Sequence, residues 1–459
     1  MKTYYPLKSS NEVLLELSHF NNIDATKYTL YEVLADPNLD KLSIQERLDV
    51  LNSWEDDMKE NKMLTYKRYS LNGCAIEKEV FDLSDNKVTK MLNFGSNDYL
   101  NMSQHPAVIN SAMEALQKYG VGAGAACNAS GLTKMKIDLE NEIADTFGYK
   151  KALVFPAGFM TNIGVLGALL RSNDIAIVDM FAHASIMDGV ADKNKMLFKH
   201  NDMRSLEMIL NRVNRQYTNK IVVVDGVYSV DGDIANIPEI AALCKKYNAL
   251  LMVDEAHAFG VIGKNGLGIL DHFDMPPETI DILVGTLSKT IGVSGGFVTG
   301  KKDLINYLSL ASRPHFFTTA PLAVSNAAAL ESIKIIREDI THKNNLWKNI
   351  SYFRSLISAS DLNTGNAQTA IFPIILGNFK RVIDITKIMG DNGVLANSIP
   401  YPAVPRKLGR VRMTVTAGMT TEQLDKGYEV LCNSIRTYEE RKEQQNKMPE
   451  EYEQLLTAV

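Results

Sequence analysis

Lys289 lies in the short turn Gly285-Thr-Leu-Ser-Lys-Thr290, followed by Gly292 and by Gly295-Gly296, where small residues let a bound group come close. Its amine can form a Schiff base with an aldehyde. Other polar residues fall just after apolar runs. Asp254 and His257 follow Leu250-Leu-Met-Val253, Asp225 and Ser229 follow Lys220-Ile-Val-Val-Val224, and His183 stands a few residues beyond Ile175-Ala-Ile-Val178. A carboxylate beside a pyridine nitrogen favours its protonated form, which keeps the ring an electron sink. One chemistry accounts for the whole set: a pyridoxal 5'-phosphate (PLP) site, with a lysine for the Schiff base and an aspartate for the pyridinium nitrogen.

Positioning these residues requires strands that end where the polar residues begin. The runs 152–155, 175–178, 220–224, 250–253 and 282–285 are apolar throughout except for Lys220, and helical patterns separate them. Such strands predict a parallel sheet covered on both faces, hence an α/β fold with its site beyond the carboxyl ends of the strands. We divide the chain into an N-terminal extension (1–92), a large domain (93–330), a smaller α+β domain (331–438) and a charged tail (439–459). In the extension, Ser43-Ile-Gln-Glu46 reads as a capping box opening a helix to Leu64. Either an oligomerising arm or a helix packed on the main body fits it. In the small domain, 370–376 and 411–415 read as strands and a helix starts near Thr421.

Composition excludes several classes. A chain of 459 residues, 45% apolar and 22% charged, is neither disordered nor fibrous. The formal net charge of −5 gives no reason to expect nucleic acid. Four cysteines without C-x-x-C spacing indicate neither a metal site nor a disulfide framework, so a reducing cytoplasm fits. The uncharged run 152–170 is interrupted by proline and glycines and reads as strand, turn and helix. No transmembrane segment is expected, and peripheral membrane contact stays open.

The ordered motifs resemble the α-oxoamine synthases, which are fold-type I PLP enzymes. They are Asn93-Phe-Gly-Ser-Asn-Asp-Tyr-Leu100, His183-Ala-Ser-Ile-Met-Asp-Gly189, Asp225-Gly-Val-Tyr-Ser-Val-Asp231, Asp254-Glu-Ala-His-Ala-Phe-Gly260, Thr286-Leu-Ser-Lys289, Ser294-Gly-Gly296 and Gly409-Arg-Val-Arg412. The resemblance covers residues 90–438. It implies that Lys289 carries the cofactor and moves the α-proton, Asp254 holds the pyridinium, His257 bonds the phenolic oxygen and His183 stacks on the ring. It places Ser229 near the phenolic oxygen, although a plain turn serine also fits. Gly158, Phe159 and Met160 would offer backbone N–H groups to the phosphate at a helix start, with Thr286 and Ser288 adding hydroxyls. Thr318 and Thr319 would reach the neighbouring subunit's phosphate, implying a homodimer with shared active sites. Ordinary capping is the alternative for each hydroxyl. Arg412, assisted by Asn97, would clamp the substrate carboxylate, and we read Arg410 as facing the other way.

Departures from the family pattern are Cys127 for an arginine, Lys136 and Met419 for histidines, and Asn101 for a glycine. Lys136 reads as a solvated helical lysine or as a contact for an extra anionic group. The resemblance implies condensation of an amino acid with an acyl thioester, releasing CO2 and the thiol. We expect serine or an analogue such as cysteate as acceptor and a fatty acyl donor on CoA or acyl carrier protein, as in sphingolipid- or sulfonolipid-type synthesis. Alternatives are 8-amino-7-oxononanoate synthesis from alanine, 2-amino-3-ketobutyrate formation and, more remotely, an aminotransferase. An ATP-driven nucleic-acid motor, hinted at by Asp254-Glu-Ala-His257, lacks a phosphate loop. A catalytically silent subunit would not need Lys289.

Overall fold

A computed structural model describes residues 28–61, 63, 68–83 and 86–447. The first long helix starts where the capping box predicts it and runs Ile44–Glu60. The Ser43 hydroxyl accepts from the Glu46 backbone N–H at 3.3 Å, and the Glu46 carboxylate accepts from the Ser43 N–H at 2.7 Å. Two N–H groups that a helix start leaves orphaned are thereby satisfied. The helix stops at Glu60; Leu64, residues 1–27 of the extension and 448–459 of the tail lie outside the described residues. Val50, Trp54 and Met58 recur every four positions, so they share one face, which packs on Val33, Leu39, Met63 and Ile383. Later in the chain, β1 (Arg68–Ser70), β2 (Glu77–Asp82) and β3 (Lys87–Asn93) pair antiparallel in succession.

Seven strands make the large sheet: β4 (Lys151–Phe155), β5 (Asp174–Asp179), β6 (Lys195–Phe198), β7 (Asn219–Asp225), β8 (Leu250–Asp254), β9 (Ile282–Thr286) and β10 (Gly296–Gly300). Their order is β4-β10-β9-β8-β7-β5-β6. All pairings among β5 to β9 are parallel, while β10 runs antiparallel to both β4 and β9. Each apolar run identified in this region is a strand. Both faces are covered, which explains the unbroken apolar text: Ile175 and Ile177 enter one core, Ala176 and Val178 the other. Full burial of each large aliphatic contributes roughly 1.5–3 kcal/mol. β6 and β10 escape a pattern reading, β6 because it opens on Lys195 and buries fully only Phe198, and β10 because it reads as the glycine-rich end of the lysine turn.

The remaining strands are β11 (Ile371–Gly377), β12 (Val394–Leu395), β13 (Asn397–Ile399) and β14 (Gly409–Thr414). An antiparallel sheet of order β11-β14-β13 is accompanied by the helices Phe379–Asp391 and Thr421–Lys447. β12 instead pairs in parallel with β3, tying the strands of 68–93 to the C-terminal part of the chain. The architecture is α/β, with a large, mostly parallel sheet and a smaller α+β part. The uncharged run 152–170 divides into β4 and the helix Gly158–Leu169. Among the described residues no helix is long and apolar enough to cross a membrane.

Candidate active site

A cavity of about 290 Å³ opens beyond the carboxyl ends of β5, β7, β8 and β9. Asp254 enters from the last position of β8, His257 from the turn that follows, Lys289 from the turn after β9 and His183 from the loop after β5. Lys289 Nζ lies 2.8 Å from His257 Nε2, and the Tyr99 hydroxyl lies 2.6 Å from His257 Nδ1. Burial pushes the Lys289 amine down to about 8, against the upward pull of Asp254 and Asp225. Burial, reinforced by the charges of Lys289 and Arg412, holds His257 well below the usual imidazole range. A neutral His257 whose Nε2 accepts from Lys289 carries its proton on Nδ1 and donates it to the Tyr99 oxygen.

The Asp254 carboxylate accepts from Asn162 Nδ2 at 2.7 Å and from the Ala256 N–H at 2.9 Å. Asn162 Nδ2 also donates to Ser185 Oγ at 2.9 Å, and that hydroxyl lies 2.8 Å from His183 Nδ1. One polar chain therefore links His183 to Asp254. Burial lowers the His183 pKa, with Asp254 opposing and Lys289 assisting. Asp225, level with Asp254 across the β7–β8 pairing, has its carboxyl pushed well up by burial and by the charge of Asp254.

The helix Gly158–Leu169 also begins at the cavity. Thr161 is the first N–H to bond back, to Ala157 O at 3.2 Å, so the N–H groups of Gly158, Phe159 and Met160 have no intrahelical acceptor. Gly158, Phe159, Thr286 and Ser288 line the cavity, whereas the Met160 side chain does not. The Thr286 and Ser288 hydroxyls lie 2.8 Å apart. A Cβ on Gly158 would meet Thr286 Oγ1 at 2.7 Å, so only glycine lets the helix start approach this hydroxyl pair. These donors form a cradle for an anion. With Lys289 and Asp254 lining the same space, the residues present fit PLP.

Arg412 and Asn97 are brought together from β14 and the segment after β3: Arg412 Nη2 donates to Asn97 Oδ1 at 3.0 Å. Arg412 Nε is buried without a partner, which leaves a donor for a carboxylate. Asn97 lines a second cavity of about 750 Å³, which shares Ser288 and Ser294 with the first. Ser229, Thr318 and Thr319 do not line this chain's first cavity. Thr319 pairs instead with Ala126, and the Ala320 N–H bonds to Ala125 O at 3.0 Å.

Two readings need correction. Arg410 does not face away from Arg412, because residues two apart on a strand share a face. It is buried in an ion pair with Asp231 at 2.6 Å. Lys136 is not solvated: its side chain is 2% exposed and ion-paired with Glu140 one helical turn on. Asn101 stands at φ 60°, a left-handed conformation that asparagine tolerates in place of glycine. Met419 is core, and Cys127 is half-buried with its thiol pushed up by burial. Residue patterns missed Tyr99, Asn162, Ser185 and Ser294. Tyr99 lies within the matched segment 93–100, while Asn162 shows only as a buried amide in an apolar helix.

The aminotransferase class I and II profile matches residues 89–431. The 8-amino-7-oxononanoate synthase of Treponema denticola is 41% identical over 348 residues, 75% of this chain and 88% of the relative. The 8-amino-7-oxononanoate synthase 1 of Bacillus subtilis is 39% identical over 344 residues, 74% of this chain and 87% of the relative. Among solved structures, serine palmitoyltransferase from S. paucimobilis with bound PLP and myriocin superposes with a TM-score of 0.81 at 27% identity, covering 86% of this chain and 99% of that one. An 8-amino-7-oxononanoate synthase from Francisella tularensis gives 0.65 at 26% identity, covering 76% and 98%.

Proposed function

The chain belongs to the aminotransferase class I and II family, in its α-oxoamine synthase branch, and from that premise we propose that it condenses alanine with a heptanedioyl (pimeloyl) thioester. It is a PLP-dependent enzyme of the acyltransferase type. The donor and acceptor proposed are the alternative weighed from the sequence. The names of the curated relatives favour them over serine or cysteate with a fatty acyl chain. The product 8-amino-7-oxononanoate divides into the two-carbon remnant of alanine and a seven-carbon acyl group that keeps its far carboxylate. A bond forms between the alanine α-carbon and the acyl carbon, the carbon–sulfur bond breaks to release the thiol, and the amino acid's carboxyl group leaves as CO2.

The observation that carries this reading is the Lys289 amine, 2.8 Å from His257, in a cavity that also holds Asp254 and adjoins a second one. Bound PLP supplies an electron sink for negative charge at the substrate α-carbon. Lys289 would hold it, Asp254 would face its ring nitrogen, His183 would lie against its ring, and the start of Gly158–Leu169 with Thr286 and Ser288 would bind its phosphate. Lys289, its amine poised near neutrality, takes the α-proton and returns it. Arg412 holds the carboxylate through the donor that has no partner. Tyr99 and Asn162 keep His257 and Asp254 in place.

A homodimer goes with this reading. It is supported by the exposure of Val121 and Phe317, 80% and 69%, on the segments that flank Thr318 and Thr319. A cytoplasmic setting is supported by four free cysteines. The likeness in shape to serine palmitoyltransferase favours a second reading, serine with a fatty acyl thioester. Both are tested by offering holoenzyme alanine, serine, glycine and cysteate with heptanedioyl-CoA or palmitoyl-CoA and following thiol and CO2 release. Alanine with heptanedioyl-CoA should give the highest kcat/KM. A higher value for serine with palmitoyl-CoA would establish the second reading, and cofactor turnover to its amine form without thioester would overturn both.

A further inference from the structure

The second cavity is walled by β2, by the segment 93–103, by residues 288–294 and by residues 395–399, and its polar lining is almost entirely neutral, with several of its groups already engaged. Asn97 is taken by Arg412, and Asn397 Nδ2 donates to Gly95 O at 3.2 Å. Ser96 Oγ accepts from the Asp98 N–H at 3.1 Å and lies 3.4 Å from Cys74 Sγ. The one carboxylate in the lining, Asp98, is spent on the Met102 N–H, the Ser103 N–H and the Ser103 hydroxyl at 2.9, 3.2 and 2.5 Å. Lys78, half-buried on β2, is the one cation in that lining, and among the described residues it has no carboxylate within ion-pair distance. A cation without a counter-ion in a walled cavity attracts an anionic ligand.

We propose that Lys78 binds an anionic group of the thioester donor, either the far carboxylate of its acyl chain or a phosphate of its thiol carrier, and so selects which donors react. This rests on the condensation reading of the adjoining cavity.

The test uses holoenzyme and its Lys78→Met and Lys78→Arg variants. Heptanedioyl and heptanoyl thioesters are compared on CoA and on N-acetylcysteamine, which has no phosphate. With Lys78→Met, the KM for heptanedioyl-N-acetylcysteamine should rise roughly five- to tenfold at unchanged kcat, heptanoyl-N-acetylcysteamine should be unaffected, and Lys78→Arg should restore most of the loss. Weakening of both CoA thioesters and of neither N-acetylcysteamine thioester would place the carrier phosphate at Lys78. Calorimetric binding of heptanedioate and of CoA to the same proteins gives a readout independent of turnover. Lys78-dependent anion binding without turnover of any thioester would sink the condensation reading alone. Turnover with KM and binding indifferent to Lys78 would overturn this proposal alone.

Discussion

Tyr99 shows how one hydroxyl can govern a lysine it does not touch. Its oxygen meets His257 Nδ1 at 2.6 Å, and the other ring nitrogen meets Lys289 Nζ at 2.8 Å. Tyr99→Phe leaves a buried ring nitrogen unpaired, a penalty of about 1–3 kcal/mol. We expect kcat to fall about tenfold while the KM for the amino acid holds, with the pH–rate profile displaced; steady-state kinetics across pH checks it. His200 bridges two carboxylates, with Nδ1 3.0 Å from Asp179 and Nε2 3.0 Å from Asp233. Burial alone would lower its pKa, but the hydrogen bonds to Asp179 and Asp233 outweigh it and raise it to about 10. A base raised on folding stabilises fully below its unfolded value of about 6.5, and that contribution is lost as pH rises through about 10. Unfolding free energy should therefore decline across that window, and urea titrations of His200→Asn should show a flatter dependence.

For the elements, the decisive feature is where they stop. β5, β7, β8 and β9 end on Asp179, Asp225, Asp254 and Thr286, so one sheet edge delivers the polar residues to a common level. The helix Gly158–Leu169 starts against that edge because glycine at 158 lets it approach Thr286. In Gly158→Ala the added carbon, 2.7 Å from Thr286 Oγ1, must displace the hydroxyl or the helix start. Circular dichroism should be unchanged, while PLP affinity measured by absorbance titration should fall about tenfold. Equal affinity would remove the helix start from the cofactor site. The strands that can be read directly from the sequence are those with unbroken apolar text. β10 is hidden because its neighbours are glycines that serve the turn before it.

Across the whole molecule, β14 presents two arginines to the large-sheet part of the chain, Arg412 to Asn97 and Arg410 to Asp231. The Asp231 turn is held from the same side, since the Gln368 N–H and the Thr369 hydroxyl both donate to Gly232 O at 3.0 Å. Asp231→Ala leaves the Arg410 charge buried without its partner, which should cost about 3 kcal/mol in urea denaturation. The double change Asp231→Leu with Arg410→Met should recover most of that. If the single change costs under about 0.5 kcal/mol, the pair does not fasten the two parts together.

The sequence determined the α/β alternation, the helix start at Ser43 and the positions of Lys289, Asp254, His257 and His183, because each follows from local periodicity or from a motif contained in a few residues. Tertiary structure alone decided what these residues meet. Asn162 reaches Asp254 across 92 positions, Arg412 reaches Asn97 across 315, and Lys136 loses its water to neighbours that no helical pattern names. Burial and partnership of this kind are set by the closing of distant segments on one another. A residue's neighbours in sequence carry no record of it.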